Sequence, residues 1–138
     1  MGRIIGIDYG NKRIGLAVTD PLRIFASPLI TVHPKDFDSF MADYLLKEKV
    51  DAFVIGYPRQ MNNQPSESVK YIDPFISKLR KKYKDIPVYP ADERFTSQIA
   101  MRSMIEGGLK KSDRQDKTIV DRVSASIILQ SWLDAGNK

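Results

Sequence analysis

The chain has 138 residues, 22 Lys and Arg against 17 Asp and Glu for a net charge of +5, 42% hydrophobic residues, no cysteine and one histidine, His33. That length suits a single domain spanning residues 1–138, and the composition excludes disulfides, thiolate zinc sites, cysteine nucleophiles and histidine-rich metal centres. Any metal must be held by oxygen ligands, which selects magnesium or manganese.

The moderate excess of cations favours a polyanionic partner such as nucleic acid without requiring one. No apolar run approaches the ~20 residues of a membrane span, and no basic segment with an apolar signal core precedes the first predicted strand. A cytoplasmic protein with no membrane partner is the expectation. Nothing in the sequence fixes its oligomeric state.

In chain order, residues 3–8 contain Ile4-Ile5-Gly6-Ile7, a strand buried on both faces that ends at the carboxylate of Asp8. The stretch Tyr9-Gly10-Asn11-Lys12 has turn chemistry. Ile14, Leu16 and Val18 then alternate with Gly15, Ala17 and Thr19, predicting a β-hairpin. A third strand is expected over residues 24–32, interrupted or edge-placed because of Pro28. Phe37, Phe40, Met41, Tyr44 and Leu45 recur at helical spacing within residues 36–49, and Ala52-Phe53-Val54-Ile55-Gly56 follows as a buried strand.

Pro65 or Ser66 can start the next helix, with Val69, Ile72, Phe75, Ile76 and Leu79 on one stripe and a kink or restart expected at Asp73, ahead of Pro74. Residues 87–91 form a brief strand. Thr96 or Ser97 can cap a helix to Glu106 that stops at Gly107-Gly108. A charged connection over residues 110–117 leads into a last helix, residues 118–134, apolar nearly all round. Three opening strands on short turns, followed by alternating helices and strands, give an α/β layer fold with a mixed sheet.

Three carboxylates stand at the ends of elements. Asp8 ends one strand, Glu93 ends another, and Asp121 lies in the first turn of the last helix, between Ile128 and Trp132 on the helical wheel and on a stripe with Ala125. A buried carboxylate needs a partner. A divalent cation satisfies several at once, and two cations ~4 Å apart can bind the attacking and leaving oxygens of a phosphodiester. Structural roles account for the same residues: Asp8 as a turn cap, Glu93 paired with Arg94 or Arg13, Asp121 at the positive end of its helix. Spacing alone leaves both readings open.

Taken together, Ile7-Asp8-Tyr9-Gly10 with Arg13-Ile14-Gly15-Leu16-Ala17, then Val54-Ile55-Gly56-Tyr57-Pro58, then Asp92-Glu93-Arg94, then Val120-Asp121 with Ser124-Ala125 form an ordered series. The chain resembles the YqgF family, also called RuvX, over nearly its whole length. These are Holliday junction resolvase-like proteins to which maturation of the 5′ end of 16S ribosomal RNA is assigned. The resemblance implies an RNase H-like fold with a mixed five-stranded sheet, three antiparallel opening strands and helices on its faces. It also implies metal-dependent phosphodiester hydrolysis, with Asp8, Glu93 and Asp121 as catalytic metal ligands for Mg2+ or Mn2+, acting on structured ribosomal precursor RNA or, as the alternative, on a four-way DNA junction.

Lys12, Arg13 and Arg94 adjoin these motifs, and Lys110, Lys111, Arg114 and Lys117 occupy the connection before the last helix. All seven are candidate phosphate contacts. The cluster Lys78, Arg80, Lys81, Lys82 and Lys84 is matched instead to a helix C-terminus. Two other classes compete: an ATP-binding module, since Asp8-Tyr9-Gly10-Asn11 resembles the phosphate hairpin of the actin and sugar-kinase group, and a non-catalytic RNA-binding factor. The former requires a second domain for which this length leaves no room.

Overall fold

Side-chain alternation in the first strand decides where everything else packs. In the computed structural model, which describes residues 2–10, 12–57, 69–92 and 117–136, that strand is β1 (Arg3–Tyr9), followed by β2 (Ile14–Thr19) and β3 (Ala26–Val32). Ile5 and Ile7 of β1 enter one apolar cluster and Ile4 enters another on the opposite face, because successive residues of a strand point to opposite sides. The remaining described elements are a 3-10 turn (Pro34–Asp36), α1 (Phe37–Lys47), β4 (Val50–Tyr57), α2 (Val69–Lys82), β5 (Val88–Asp92) and α3 (Lys117–Asp134).

The five strands form one sheet in the order β3-β2-β1-β4-β5. The opening three pair antiparallel, whereas β4 pairs parallel with β1 and β5 parallel with β4. This is the mixed five-stranded sheet that the sequence predicts. The helices α1 and α2 contribute Phe37, Met41, Ile72, Ile76 and Leu79 to the cluster beneath Ile5, Ile7, Phe53 and Ile55. On the other face α3 crosses all five strands, burying Ala125, Ile128, Leu129 and Leu133 against Ile4, Ala17, Ala52 and Val54.

Three local differences from the sequence reading have physical causes. The third strand starts at Ala26 rather than Ile24, because the Asp20 carboxylate accepts the backbone N–H groups of Ile24 (2.8 Å) and Phe25 (3.2 Å) and holds them in a turn. Pro28 lies in this edge strand beside a register shift between Leu16 and Ala17, where its missing N–H does least harm. His33, given no role from sequence, accepts the Lys35 N–H through Nδ1 at 3.1 Å and caps the turn that opens α1.

The restart expected at Asp73 does not occur, and a single helix passes through Pro74. Proline removes one intrahelical donor, that for the carbonyl of Lys70. Lys70 is exposed, so water reaches the first turn where that carbonyl lies. The expected helix start at Pro65 or Ser66, the helix over residues 97–106 with its Gly107-Gly108 stop, and the loop of residues 59–64 lie outside the described residues.

Candidate active site

Because β1, β4 and β5 run parallel, their C-terminal ends share one edge of the sheet. Asp8 stands one residue from the end of β1, and Asp92 ends β5 at that same edge. Crevices outside the carboxyl ends of strands are where open α/β sheets bind ligands.

Asp8 lies directly opposite Gly15 in the antiparallel register of β1 and β2, so both positions face the same side of the sheet. That side is the one covered by α3. A Cβ on Gly15 would stand 2.1 Å from the carbonyl oxygen of Asp121 and 2.9 Å from the nitrogen of Arg122, closer than any real side chain tolerates. Only glycine lets α3 sit on β2 at Asp121, which lies just past the helix's first turn and not within it as the sequence suggested, because the helix already starts at Lys117. A second tie holds the first turn itself, since the Thr31 hydroxyl on β3 donates to the Thr118 carbonyl. Further along, Gly6 leaves room for Ala125 and Leu129, which a Cβ would meet at 2.9 and 2.8 Å.

Asp121 is thus carried to the residue facing Asp8, although 113 positions separate the two in sequence. Its carboxylate accepts Nε of Arg13 at 2.6 Å, with Arg13 and Asp121 side chains 35% and 23% exposed, so the pair is reachable from solvent. Arg13 was offered by sequence as a partner for Glu93 or for phosphate. Here it is drawn to Asp121 because the short β1–β2 turn and the seated helix bring them to one corner.

Among the described residues no three His, Asp or Glu side chains group closely enough to enclose a metal ion. Asp8 and Asp121 supply anionic oxygen donors at neighbouring positions, the ligand type that magnesium and manganese select. The donor set present therefore fits such an ion as part of a larger site. Glu93, Arg94, Lys110, Lys111 and Arg114 lie outside the described residues. Lys12, beside the β1–β2 turn, and Lys117, which opens α3, are both exposed.

Among the described residues, the carboxylates with displaced pKa values lie at the opposite end of the sheet. Asp51 is held below its ordinary range chiefly by the Gly2 N–H, aided by Lys49 and Arg23. Asp20 is lowered first by the Phe25 N–H.

Sequence reasoning missed the role of Gly15 as the seat of α3. The signal was present: Gly6, Gly15 and Ala17 fall on one face of strands whose other face is Ile and Leu. Small residues in register on one face mark the close approach of another backbone.

The model of the RuvX family, described as Holliday junction resolvase, matches residues 2–135. A protein of Phocaeicola vulgatus is 53% identical over 135 residues, covering 98% of this chain and 97% of its own length, and is provisionally named a pre-16S rRNA nuclease. A protein of Porphyromonas gingivalis with the same provisional name is 53% identical over 134 residues, covering 97% of each chain. Among solved structures, T. thermophilus RuvC in complex with a Holliday junction aligns with TM-score 0.56 at 18% identity, covering 99% of this chain and 98% of the other. Fowlpox virus resolvase with Holliday junction DNA aligns at 0.57 and 12% identity, covering 99% of both. Identities that low speak to fold alone, here the RNase H-like fold. By sequence over almost its full length, the chain belongs to the RuvX family of nucleases.

Proposed function

We propose that this protein hydrolyses phosphodiester bonds at the 5′ end of precursor 16S ribosomal RNA, with Asp8, Glu93 and Asp121 holding Mg2+ or Mn2+. The observation that carries this reading is the seating of Asp121 over Gly15, directly across from Asp8, at the C-terminal edge of the parallel strands. The names of the half-identical relatives supply the substrate. The same reading puts the protein in the cytoplasm, with the ribosomal precursors.

A divalent cation at these carboxylates supplies Lewis-acid stabilisation of charge on phosphoryl oxygens. The chain's own residues do the rest. Asp8 and Asp121 present anionic oxygens from rigid elements, a strand and a helix turn locked to the sheet, so their separation changes little when substrate arrives. Arg13 fixes the Asp121 carboxylate through Nε. Its terminal N–H groups are donors suited to a phosphate oxygen beside the scissile bond. Lys12 and Lys117, with Arg94, Lys110, Lys111 and Arg114, neutralise flanking phosphates and should give binding a steep salt dependence.

A four-way DNA junction is the second substrate, favoured by the description of the family itself. Cutting two strands symmetrically calls for a dimer. Both substrates are tested by one experiment: cleavage of precursor 16S RNA and of a DNA junction, with and without magnesium or manganese, by wild type, Asp8→Asn and Asp121→Asn. Each variant should lose several kcal/mol of transition-state stabilisation, at least about 100-fold in kcat. Full metal-dependent cleavage by Asp8→Asn would remove the carboxylate assignment. Failure of wild type to cut either substrate would turn the reading toward a binding factor.

A further inference from the structure

On the face of the sheet away from α3, a cavity of about 270 Å3 opens between the start of α1 and the first half of α2, lined by Tyr9, Phe37, Asp38, Tyr71, Phe75 and Lys78 together with two prolines. Its position is the first clue. Tyr9 follows Asp8 in β1 and pairs with Ile14, whose side chain enters the α1/α2 core, so the two neighbours point to opposite faces of the same strand end. The cavity therefore opens at the same end of β1 that carries Asp8.

The cavity's chemistry is the second clue. Its floor is aromatic: Tyr9 stacks on Phe75 with ring centroids 4.5 Å apart, and Phe37 meets Phe75 edge-on at 5.2 Å. Tyr71 on the rim is 46% exposed, and the Lys70 ammonium lies 5.4 Å from its ring centre. On α2, Tyr71, Phe75, Lys78 and Lys82 follow one another at helical spacing, so the aromatic wall and the cations form one ridge. Asp38 is offset by Lys82 at 3.3 Å. No carboxylate among the described residues pairs with Lys78. The charge left at the mouth is therefore positive, as a phosphate requires, while Asp38 remains an acceptor for a base N–H. The volume falls below the ~300–1,000 Å3 of drug-sized sites and suits a single planar ring system.

We propose that this cavity is a subsite for one unpaired nucleotide of the substrate strand, its base held against Tyr71 and the Tyr9–Phe75 floor and its phosphate against Lys78. Aromatic platforms beside a cation are how proteins take up splayed-out bases. This inference rests on the nuclease reading above and adds to it a site for substrate outside the carboxylate cluster.

The test uses the full-length protein with short single-stranded RNA and DNA carrying the fluorescent base 2-aminopurine, in EDTA so that nothing is cut, alongside metal-dependent cleavage of precursor RNA. Stacking should quench 2-aminopurine on binding to wild type. Tyr71→Ser should abolish that quenching and weaken affinity at least about fivefold, the lower end of the ~1–3 kcal/mol that a stacked base contributes. Lys78→Gln should weaken binding and lower the salt slope by ~0.7, the loss of one single-strand phosphate contact. Both substituted positions are exposed, and thermal unfolding should match wild type. In cleavage both variants should raise KM with kcat unchanged. A wild type that cleaves, together with variants indistinguishable from it in quenching and KM, overturns the subsite and leaves the nuclease reading standing. A wild type that neither binds nor cleaves overturns both.

Discussion

Toward α3 the sheet offers Gly6, Gly15, Ala17, Ala52 and Val54 with one large residue, Ile4, whereas toward α1 and α2 it offers Ile5, Ile7, Ile14, Leu16, Phe53 and Ile55. The second face keeps its helices at a distance set by large side chains, which interdigitate and can repack. The first lets a helix backbone rest directly on strand backbone at Gly15, where no rotamer change can relieve an added atom. One face therefore holds the fold together by apolar volume, and the other also sets the position of Asp121, the carboxylate proposed above as a metal ligand. Core packing everywhere resists change in volume, but on the α3 face a change in volume also moves the Asp121 backbone that rests on Gly15.

The largest effect expected from this contrast is at Gly15. Gly15→Ala puts a methyl 2.1 Å from the Asp121 carbonyl oxygen, and the helix must lift. Overpacking of this severity should cost about 3 kcal/mol or more in urea unfolding. A 1 Å displacement of Asp121 from Asp8 should lower kcat about 100-fold. Normal stability and cleavage in this variant would break the comparison. Gly6→Ala should be milder, about 1–3 kcal/mol, because its nearest contacts, Leu129 Cβ at 2.8 Å and the Ala125 carbonyl at 2.9 Å, are less close than the 2.1 Å met at Gly15. On the other face Ile55→Val, fully buried against the α1/α2 core, should cost about 1 kcal/mol. Its kcat should stay at the wild-type value, since no functional side chain rests on that contact.

This asymmetry also explains what the sequence disclosed. The buried strands, the hairpin, the apolar stripe of α2 and the mixed sheet were all legible, because alternation and helical spacing are recorded residue by residue. Asp8 and Asp121 could be singled out as carboxylates at element ends. That Asp121 pairs with Arg13 could not, because the pair spans 108 positions and depends on how α3 crosses the sheet. The aromatic cavity was equally hidden: Tyr9, Phe37, Tyr71 and Phe75 come from three elements whose packing no local pattern encodes. Pro74 misled for a related reason. The expected restart assumed that the lost hydrogen bond decides, but the buried stripe of Ile72, Ile76 and Leu79 continues through it and holds the helix as one.

The smallest expected effect supplies the control that belongs to neither face. Asp51 lies at the sheet end away from Asp8, where its carboxylate accepts the Gly2 N–H at 2.9 Å and is also bound by Arg23, itself tied through Nε to the Gly2 carbonyl. These contacts favour the charged form and depress its pKa below the ordinary value of 3.8. A carboxylate with a lowered folded-state pKa stabilises the protein fully above its unfolded pKa and loses that contribution as pH falls through the folded one. Asp51→Asn should therefore cost stability at neutral pH, about 1 kcal/mol given partial exposure. The gap to wild type should hold above the ordinary carboxylate range and close as pH falls through the lowered folded-state value. Cleavage at neutral pH should be unchanged, because the partners of the Asp51 side chain are Gly2, Arg23 and Lys49, at the other end of the sheet from Gly15. A loss of cleavage in this variant, at unchanged folding, would mean that the two ends of the sheet are coupled and that the position of Asp121 is not set at Gly15 alone.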